Sequence, residues 1–287
     1  MLETLRNAFK VKDIRDRILF TFLMLIVIRI GSQLPVPGVN GDVFKSWFES
    51  QAAGLGFFDA ITGGSFLSMS VFALNITPYI TSSIIMQLLT IAIPALEELQ
   101  KDGEDGRKKI AEFTRYLTVG LALFESSAMT FGFWRSGYLL QKNALTVITV
   151  VTALTAGSAV LMWIGERITE RGVGNGISIV LVINIISRIP ADMGALWNQF
   201  IDGKGLLQGV IAAVVILAVI IGMVVFVIVL QGAERRIPVQ YSKKMQGRKQ
   251  VGGQQTHIPL KVNTSGVIPV IFAQSLTLPR TGSQTFT

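Results

Sequence analysis

Long apolar runs separated by short charged or turn-forming clusters dominate the chain, and the most informative of them is interrupted. The stretch Leu55–Leu96 is long enough to cross a membrane but is broken near its start by Gly63-Gly64. Hydrocarbon tolerates a broken helix only where the freed backbone groups are buried in protein or face a water-filled cavity. The break therefore points to a path for something polar.

Apolar runs of about 20 residues cover a hydrocarbon core of about 30 Å at 1.5 Å per residue, and the pattern predicts about seven such spans. The first runs over Ile18–Leu34 and stops at Pro35-Val36-Pro37-Gly38, which cannot continue a helix. The second has its uninterrupted part over Ile76–Leu96. Others are predicted at Tyr116–Phe133, Ala144–Ile164, Ile177–Ile189 and Leu206–Leu230, and a last, incomplete one begins near Gly266. Runs of this length are helical rather than barrel-like.

Composition agrees: 50% of the 287 residues are hydrophobic and only 15% charged, a balance of membrane proteins rather than soluble domains. There is no cysteine, which removes disulfides, thiolate metal sites and cysteine nucleophiles. The single histidine, His257, lies in a polar loop without a carboxylate cluster and reads as a solvated residue. No acid pair, Ser-Lys couple or histidine-ligand spacing falls in the spans, so neither an enzyme nor a metal or cofactor site is expected.

The formal charge of +8 acquires meaning once the basic residues are assigned to sides of the membrane. Arg6, Lys10, Lys12, Arg15, Arg17, Lys101, Arg107, Lys108, Lys109, Arg115, Arg167 and Arg171 fall on one side. The loop after the sixth span joins them, with Arg235, Arg236, Lys243, Lys244, Arg248, Lys249 and Lys261. The other side holds Lys45, Arg135, Lys142, Arg188 and Lys204, so the N-terminus is expected in the cytoplasm. Residues 1–17 read as a basic amphipathic interfacial helix leading into a retained anchor, because no small-residue cleavage site follows.

Three constellations carry chemistry. Phe58–Met69 is too short to span and too apolar for a free loop, so it reads as a half-helix or re-entrant element, either plain packing or a movable gate. In Pro78–Leu89, Ile80, Ile84 and Leu88 share one face while Thr81 and Ser82 begin a polar stripe that needs partners inside the bundle. Such an isoleucine stripe equally suits lipid or core packing. The basic loop Gly232–Val262 is longer than ordinary connections and reads either as a topology signal or as a docking surface for RNA or an acidic protein. Two charges lie within predicted spans, Arg29 and Glu125, for which structural pairing is favoured over proton relay.

Five strings together resemble the bacterial SecY family, the channel subunit of the Sec translocon. They are Arg29–Gly38, Ile76–Ile80, Gly172–Ser178, Glu234–Tyr241 and Gly266–Ala273, in the family's order and covering nearly the whole chain to about Ala273. The resemblance implies an all-α polytopic bundle in two halves, 18–195 with five spans and 206–287 as a partial second half. It implies a protein-conducting channel in the bacterial cytoplasmic membrane that passes unfolded secretory chains and releases signal sequences sideways into lipid.

By motif position, the resemblance makes residues 55–70 a plug, with Phe58, Ile61, Gly63, Gly64, Phe66 and Leu67 as its central residues. It makes Ile80, Ile84, Leu181, Ile185 and Ile271 a ring of apolar side chains, Leu181 departing from the usual isoleucine. Thr77, Thr81 and Gln87 would belong to the lateral gate. Arg107, Lys108, Lys109, Arg235, Arg236, Lys243, Lys244, Arg248 and Lys249 would dock the ribosome or the SecA motor, with SecE and SecG as membrane partners.

The family has ten spans, whereas this sequence stops inside the seventh, so a truncated or fragmentary channel is expected. Leu278-Pro279-Arg280-Thr281-Gly282 fits the sortase pattern L-P-x-T-G but lacks the hydrophobic anchor and basic tail that would accompany it. The competing class is a secondary transporter holding a small solute at a discontinuous helix. It would need converging polar groups where the predicted waist is apolar, and it leaves the long basic loop unexplained.

Overall fold

A computed structural model describes residues 10–50, 59, 62–200, 206–239, 244–246, 249–251 and 256–263. The chain divides into two units, one running to Ala191 and the other from Asp192.

In the first unit, α1 (Lys12–Gly31) carries Asp13 in its first turn and Arg29 in its last, each opposing the helix dipole. Lys12–Arg17 open α1, while Lys10 is helical ahead of a bend at Val11; residues 1–9, which hold much of the expected interfacial helix, lie outside the described set. After the Pro35–Gly38 turn comes a helix that the apolar pattern did not announce, α2 (Gly41–Ser50). It is short and amphipathic, and it drives Phe44 into an aromatic nest with Phe66, Phe133 and Tyr138, at ring separations of 5.6, 5.4 and 6.1 Å.

The second predicted span ends earlier than Leu96. α3 (Thr77–Ala92) and α4 (Pro94–Lys101) meet at a bend of 102°. Pro94 has no N–H to give and forces Ile93 into extended backbone (φ −111°, ψ 113°), which stops α3 one residue earlier. α5 (Glu104–Ser136) stops at Gly137, whose φ of +80° suits a residue without a Cβ. α6 (Ala144–Arg171) follows, then α7 (Gly176–Phe200), which continues through Pro190 well past the predicted end at Ile189.

Two buried clusters organise this unit. One gathers Val36, Phe44, Phe66, Met69, Leu74, Phe133, Leu139, Val150 and Leu154; the other gathers Ile28, Phe72, Ile76, Leu161, Ile164, Ile168 and Val180. Glycines let backbones touch at defined points. A Cβ on Gly157 of α6 would stand 2.0 Å from the Val71 carbonyl oxygen, and one on Gly176 of α7 would stand 1.9 Å from that of Gly165 on α6. α6 and α7 are thus pressed together at the end where the chain turns from one to the other.

In the second unit, α8 (Leu206–Gly232) is a continuous apolar helix whose side chains are mostly exposed, as suits contact with lipid. The basic loop beyond it contains strands that the sequence did not foretell. β1 (Glu234–Val239) pairs antiparallel with β4 (Thr256–Lys261), and β2 (Lys244–Gln246) with β3 (Lys249–Val251). Pro238 and Pro259 survive in these strands because each ribbon has two edges and no centre.

Among the described residues, α6, α7 and the Gln208–Gly232 stretch are each long and apolar enough to cross a membrane, as is α3 if counted together with α4. α1 and α5 are longer than 18 residues, but their apolar runs are diluted, by Arg15, Asp16, Arg17 and Arg29 in one and by Thr118, Glu125, Ser126, Ser127 and Thr130 in the other.

Candidate functional site

The interrupted stretch folds as a series of turns. Gly63 and Gly64 take φ of +67° and +83°, the left-handed conformation in which a Cβ costs about 1–2 kcal/mol. Met69 and Asn75 adopt the same region at +43° and +53° while almost wholly buried. Non-glycine residues are held in that region only where surrounding structure over-determines them. Two backbone hydrogen bonds fix the far end: Val36 N–H donates to Met69 O and Val71 N–H to Leu34 O, each at 2.9 Å. The Pro35–Gly38 turn is thereby stitched to the end of the re-entrant segment.

Asp59 organises the near end. Its carbonyl accepts from Gly64 N–H at 3.1 Å and from Thr62 Oγ1 at 3.1 Å, and its Oδ1 accepts from Leu67 N–H at 2.9 Å. The carboxylate is fully buried and pairs with the Arg188 guanidinium of α7. The segment's backbone also lies against that helix, since a Cβ on Gly63 would come within 2.4 Å of Asn184 O.

Beyond the re-entrant segment, Asn75 bridges two helices. Ser158 Oγ of α6 donates to Asn75 O at 3.2 Å, and Asn184 Nδ2 of α7 donates to Asn75 Oδ1 at 3.0 Å. The turn 70–76 sits between them as a wedge, touching α1 as well where Phe72 lies over Gly31. Buried side-chain amides without partners cost about 1–3 kcal/mol, which makes this exchange of hydrogen bonds a positioning device.

Of the plug residues named from the sequence, Gly63 and Gly64 form the turn, Phe66 is buried against Phe44, and Leu67 packs at the edge of the first cluster. Phe58 and Ile61 lie outside the described residues. Of the ring residues, Ile80 packs against the second cluster, Ile84 and Leu181 are half-buried, and Ile185 is exposed; Ile271 lies outside the described residues. On α7 it is Val180, next to Leu181, that is buried in the core.

On α3, Thr81 Oγ1 returns to its own helix at Thr77 O, 3.1 Å away, and Gln87 is exposed. The interhelical bond runs instead through Ser82, which accepts from Thr118 Oγ1 of α5 at 3.1 Å. Arg29 is paired as expected of a charge in a span, its Nη1 donating to Ser187 Oγ at 2.8 Å. Glu125 has no ion-pair partner among the described residues, so its expected structural pairing is not found there.

Among the basic residues, Arg107, Lys108 and Lys109 are exposed on the first turns of α5, Lys108 lying 3.5 Å from Asp105. Arg235 and Arg236 are exposed on β1, facing Leu260 and Pro259 across the ribbon, while Lys244 and Lys249 lie on β2 and β3. Lys243 and Arg248 lie outside the described residues. On the same predicted side of the membrane, Arg115 donates to Glu166 at 2.8 Å, and this hydrogen bond holds the guanidinium above its ordinary value against a smaller opposing effect of burial.

Asp59, Asn75, Ser158, Asn184 and Arg188 were not singled out from the sequence as site residues. The available signal was an ionisable group in each of two otherwise apolar segments, Asp59 in the broken stretch and Arg188 at the end of a span. Their pairing across more than a hundred residues was not readable from either segment alone.

Comparison with known proteins adds three findings. The SecY family model matches residues 70–287. The protein translocase subunit SecY of Halalkalibacterium halodurans is 45% identical over 281 residues, covering 96% of this chain and 65% of that relative; the chain thus spans about 65% of the length of the curated relatives it matches. A solved structure described as a protein conducting channel superposes with a TM-score of 0.61 at 20% identity, covering 91% of this chain and 56% of the other. A second is described as showing that the plug domain of the SecY protein stabilizes the closed state of the translocation channel and maintains a membrane seal. It gives a TM-score of 0.55 at 19% identity and covers 92% of this chain and 56% of its own.

Proposed function

The chain belongs to the SecY family, a multi-pass membrane protein with that family's helical fold, and from that premise we propose that it contributes the plug and part of the waist of a protein-conducting channel. The passenger is an unfolded secretory polypeptide, and signal sequences or nascent spans leave sideways into lipid. The observation that carries this reading is the re-entrant segment 59–70, packed inside a helical bundle and buried at Asp59, Phe66 and Met69.

The chemistry of such a waist is that of a gasket. Apolar side chains around a narrow opening disfavour a continuous water column, which holds back ions and protons, yet they rotate aside for a peptide. Ile80, Ile84, Leu181, Ile185 and Ile271 are the side chains assigned to it. Thr77, Thr81 and Gln87 line the lateral seam between the second and seventh spans, and interhelical bonds of such side chains, averaging about 0.6 kcal/mol, are weak enough to exchange.

SecE and SecG are the membrane partners under this reading, and SecA or the ribosome docks on the cytoplasmic basic surface. Arg107, Lys108, Lys109, Arg235, Arg236, Lys243, Lys244, Arg248 and Lys249 supply its charge. No chemical reaction is assigned to the chain, and its place is the bacterial cytoplasmic membrane with the N-terminus inside.

The test is site-specific crosslinking of a stalled secretory chain to photoprobes at Ile80, Leu181 and Ile271 in the assembled channel. Labelling at the waist positions is the expected result; labelling at none of them would overturn the assignment. Solute uptake by proteoliposomes without motor or ribosome would favour a transporter instead.

A further inference from the structure

The re-entrant segment is held by the burial of Phe66 and Met69, by backbone hydrogen bonds at its far end and by one buried charge pair, while several of its polar atoms are left unsatisfied. Asp59 is fully buried and pairs with Arg188, whose side chain is 24% exposed. This differs in kind from Lys101–Glu97 and Arg167–Glu170, pairs on exposed faces three or four residues apart within one helix. Asp59 and Arg188 join a segment at the start of the fold to a helix more than a hundred residues later. Around them, Ser65 Oγ, Ser70 Oγ and Asn184 Oδ1 are buried with no hydrogen-bond partner among the described residues.

These observations have opposite signs. A buried ion pair is weak evidence for stability as a whole, but removing one partner strands the other charge in a low dielectric and is strongly unfavourable. The orphaned hydroxyls and amide oxygen work the other way, because they regain hydrogen bonds with water once the segment lifts. The docked segment is thus held by its charge pair and by the burial of Phe66 and Met69, against polar neighbours that gain from release, which is the energetic profile of a two-state element.

We propose that Asp59 and Arg188 form a charge latch that holds segment 59–70 against α7, and that rupture of this pair is the step that frees the segment. The inference rests on the channel reading above, for which the segment is the plug. Arg188, on this account, is a positioning residue that acts through Asp59, and the Gly63 contact with Asn184 sets the closeness at which the two charges meet.

These 287 residues hold no cysteine, so once any cysteine elsewhere in the channel is replaced by serine an introduced thiol reports alone. In the full-length channel in native membranes, a single thiol at Ser65→Cys, a position 2% exposed, is labelled with a membrane-impermeant maleimide. Asp59→Asn and Arg188→Gln should each speed labelling at least about tenfold, the double variant should be no faster than either, and Arg188→Lys should stay within about threefold of the parent. A control thiol at Thr130→Cys, buried on α5 with its hydrogen bond inside its own helix, should not change. Unchanged labelling at Ser65→Cys in both single variants overturns the latch. So does parallel acceleration at Thr130→Cys, which would mean a loosened bundle rather than a released segment. The labelling needs no passenger, so a failure of the channel reading, seen as absent crosslinks in the parent, is told apart from a failure of the latch.

Discussion

Replacing Gly157 by alanine adds one methyl group at the point where the turn 70–76 leans on α6, and the sign of its effect is decided by competing magnitudes. In a helix interior, Gly→Ala gains about 1 kcal/mol from reduced backbone freedom. Here the new Cβ would lie 2.0 Å from Val71 O and 2.8 Å from its carbonyl carbon, and both are backbone atoms that cannot rotate away. Overpacking of this kind costs about 1–3 kcal/mol. Displacing the turn also strains the neighbouring bond from Ser158 Oγ to Asn75 O, which contributes about 1 kcal/mol. The sum is a net loss of about 1–3 kcal/mol.

Gly120 on α5 supplies the matched control, because a Cβ there meets nothing within 4 Å. Thermal unfolding of the purified channel in detergent should show Gly157→Ala lowered by several degrees, at ~2–4 °C per kcal/mol for chains of about this size. Gly120→Ala should be unchanged or raised. If the two variants have equal midpoints, the close approach of Val71 to α6 does not decide stability and the packing argument fails.

Asn184→Leu removes the donor to Asn75 Oδ1, so a loss of about 1 kcal/mol is expected in the same thermal assay. Glu166→Gln should cost no more than about 1 kcal/mol, because Arg115 is 45% exposed, and the deficit should shrink as salt is raised. The raised Arg115 value means that this pair contributes below the ordinary arginine range and is lost only as pH climbs beyond it, so midpoints at pH 6 and pH 9 should differ by no arginine-dependent amount. Ile84→Asn should raise ion leak through the reconstituted channel if this side chain belongs to the waist, and an unchanged conductance would remove Ile84 from it. Charge reversal at Arg235 and Arg236 together should weaken binding of motor or ribosome most at low salt, read by co-sedimentation.

What could be read from the chain followed the physics of each element. The Gly63-Gly64 break and the stop at Pro35–Gly38 were legible because glycine and proline act locally, through φ and a missing donor. The early end of α3 was also a local effect, of Pro94, but an apolar run of Leu, Ile and Ala masks it. Pro190 had the opposite outcome, since α7 passes through it. The two ribbons were hidden because proline and dense positive charge in Glu234–Lys261 argue against strands, and only the pairing of Glu234 with Lys261 through to Val239 with Thr256 supplies the compensation. α2 escaped notice because it is only ten residues long, with Phe44 the one buried side chain among those described on it. The contacts of Asp59 and Asn75 are long-range, and no local pattern encodes their partners.

The contact between Gly165 and Gly176 has a mechanical consequence. With backbones touching there, α6 and α7 act as a pair of tongs pinned at one end, so their freedom to part grows with distance from the pin. Asn75 is gripped between the arms, by Ser158 on one and Asn184 on the other, and Arg188 lies farther out still, where the opening is widest for a given rotation. A small movement at the hinge therefore becomes a large one at Arg188, the point where α7 holds Asp59.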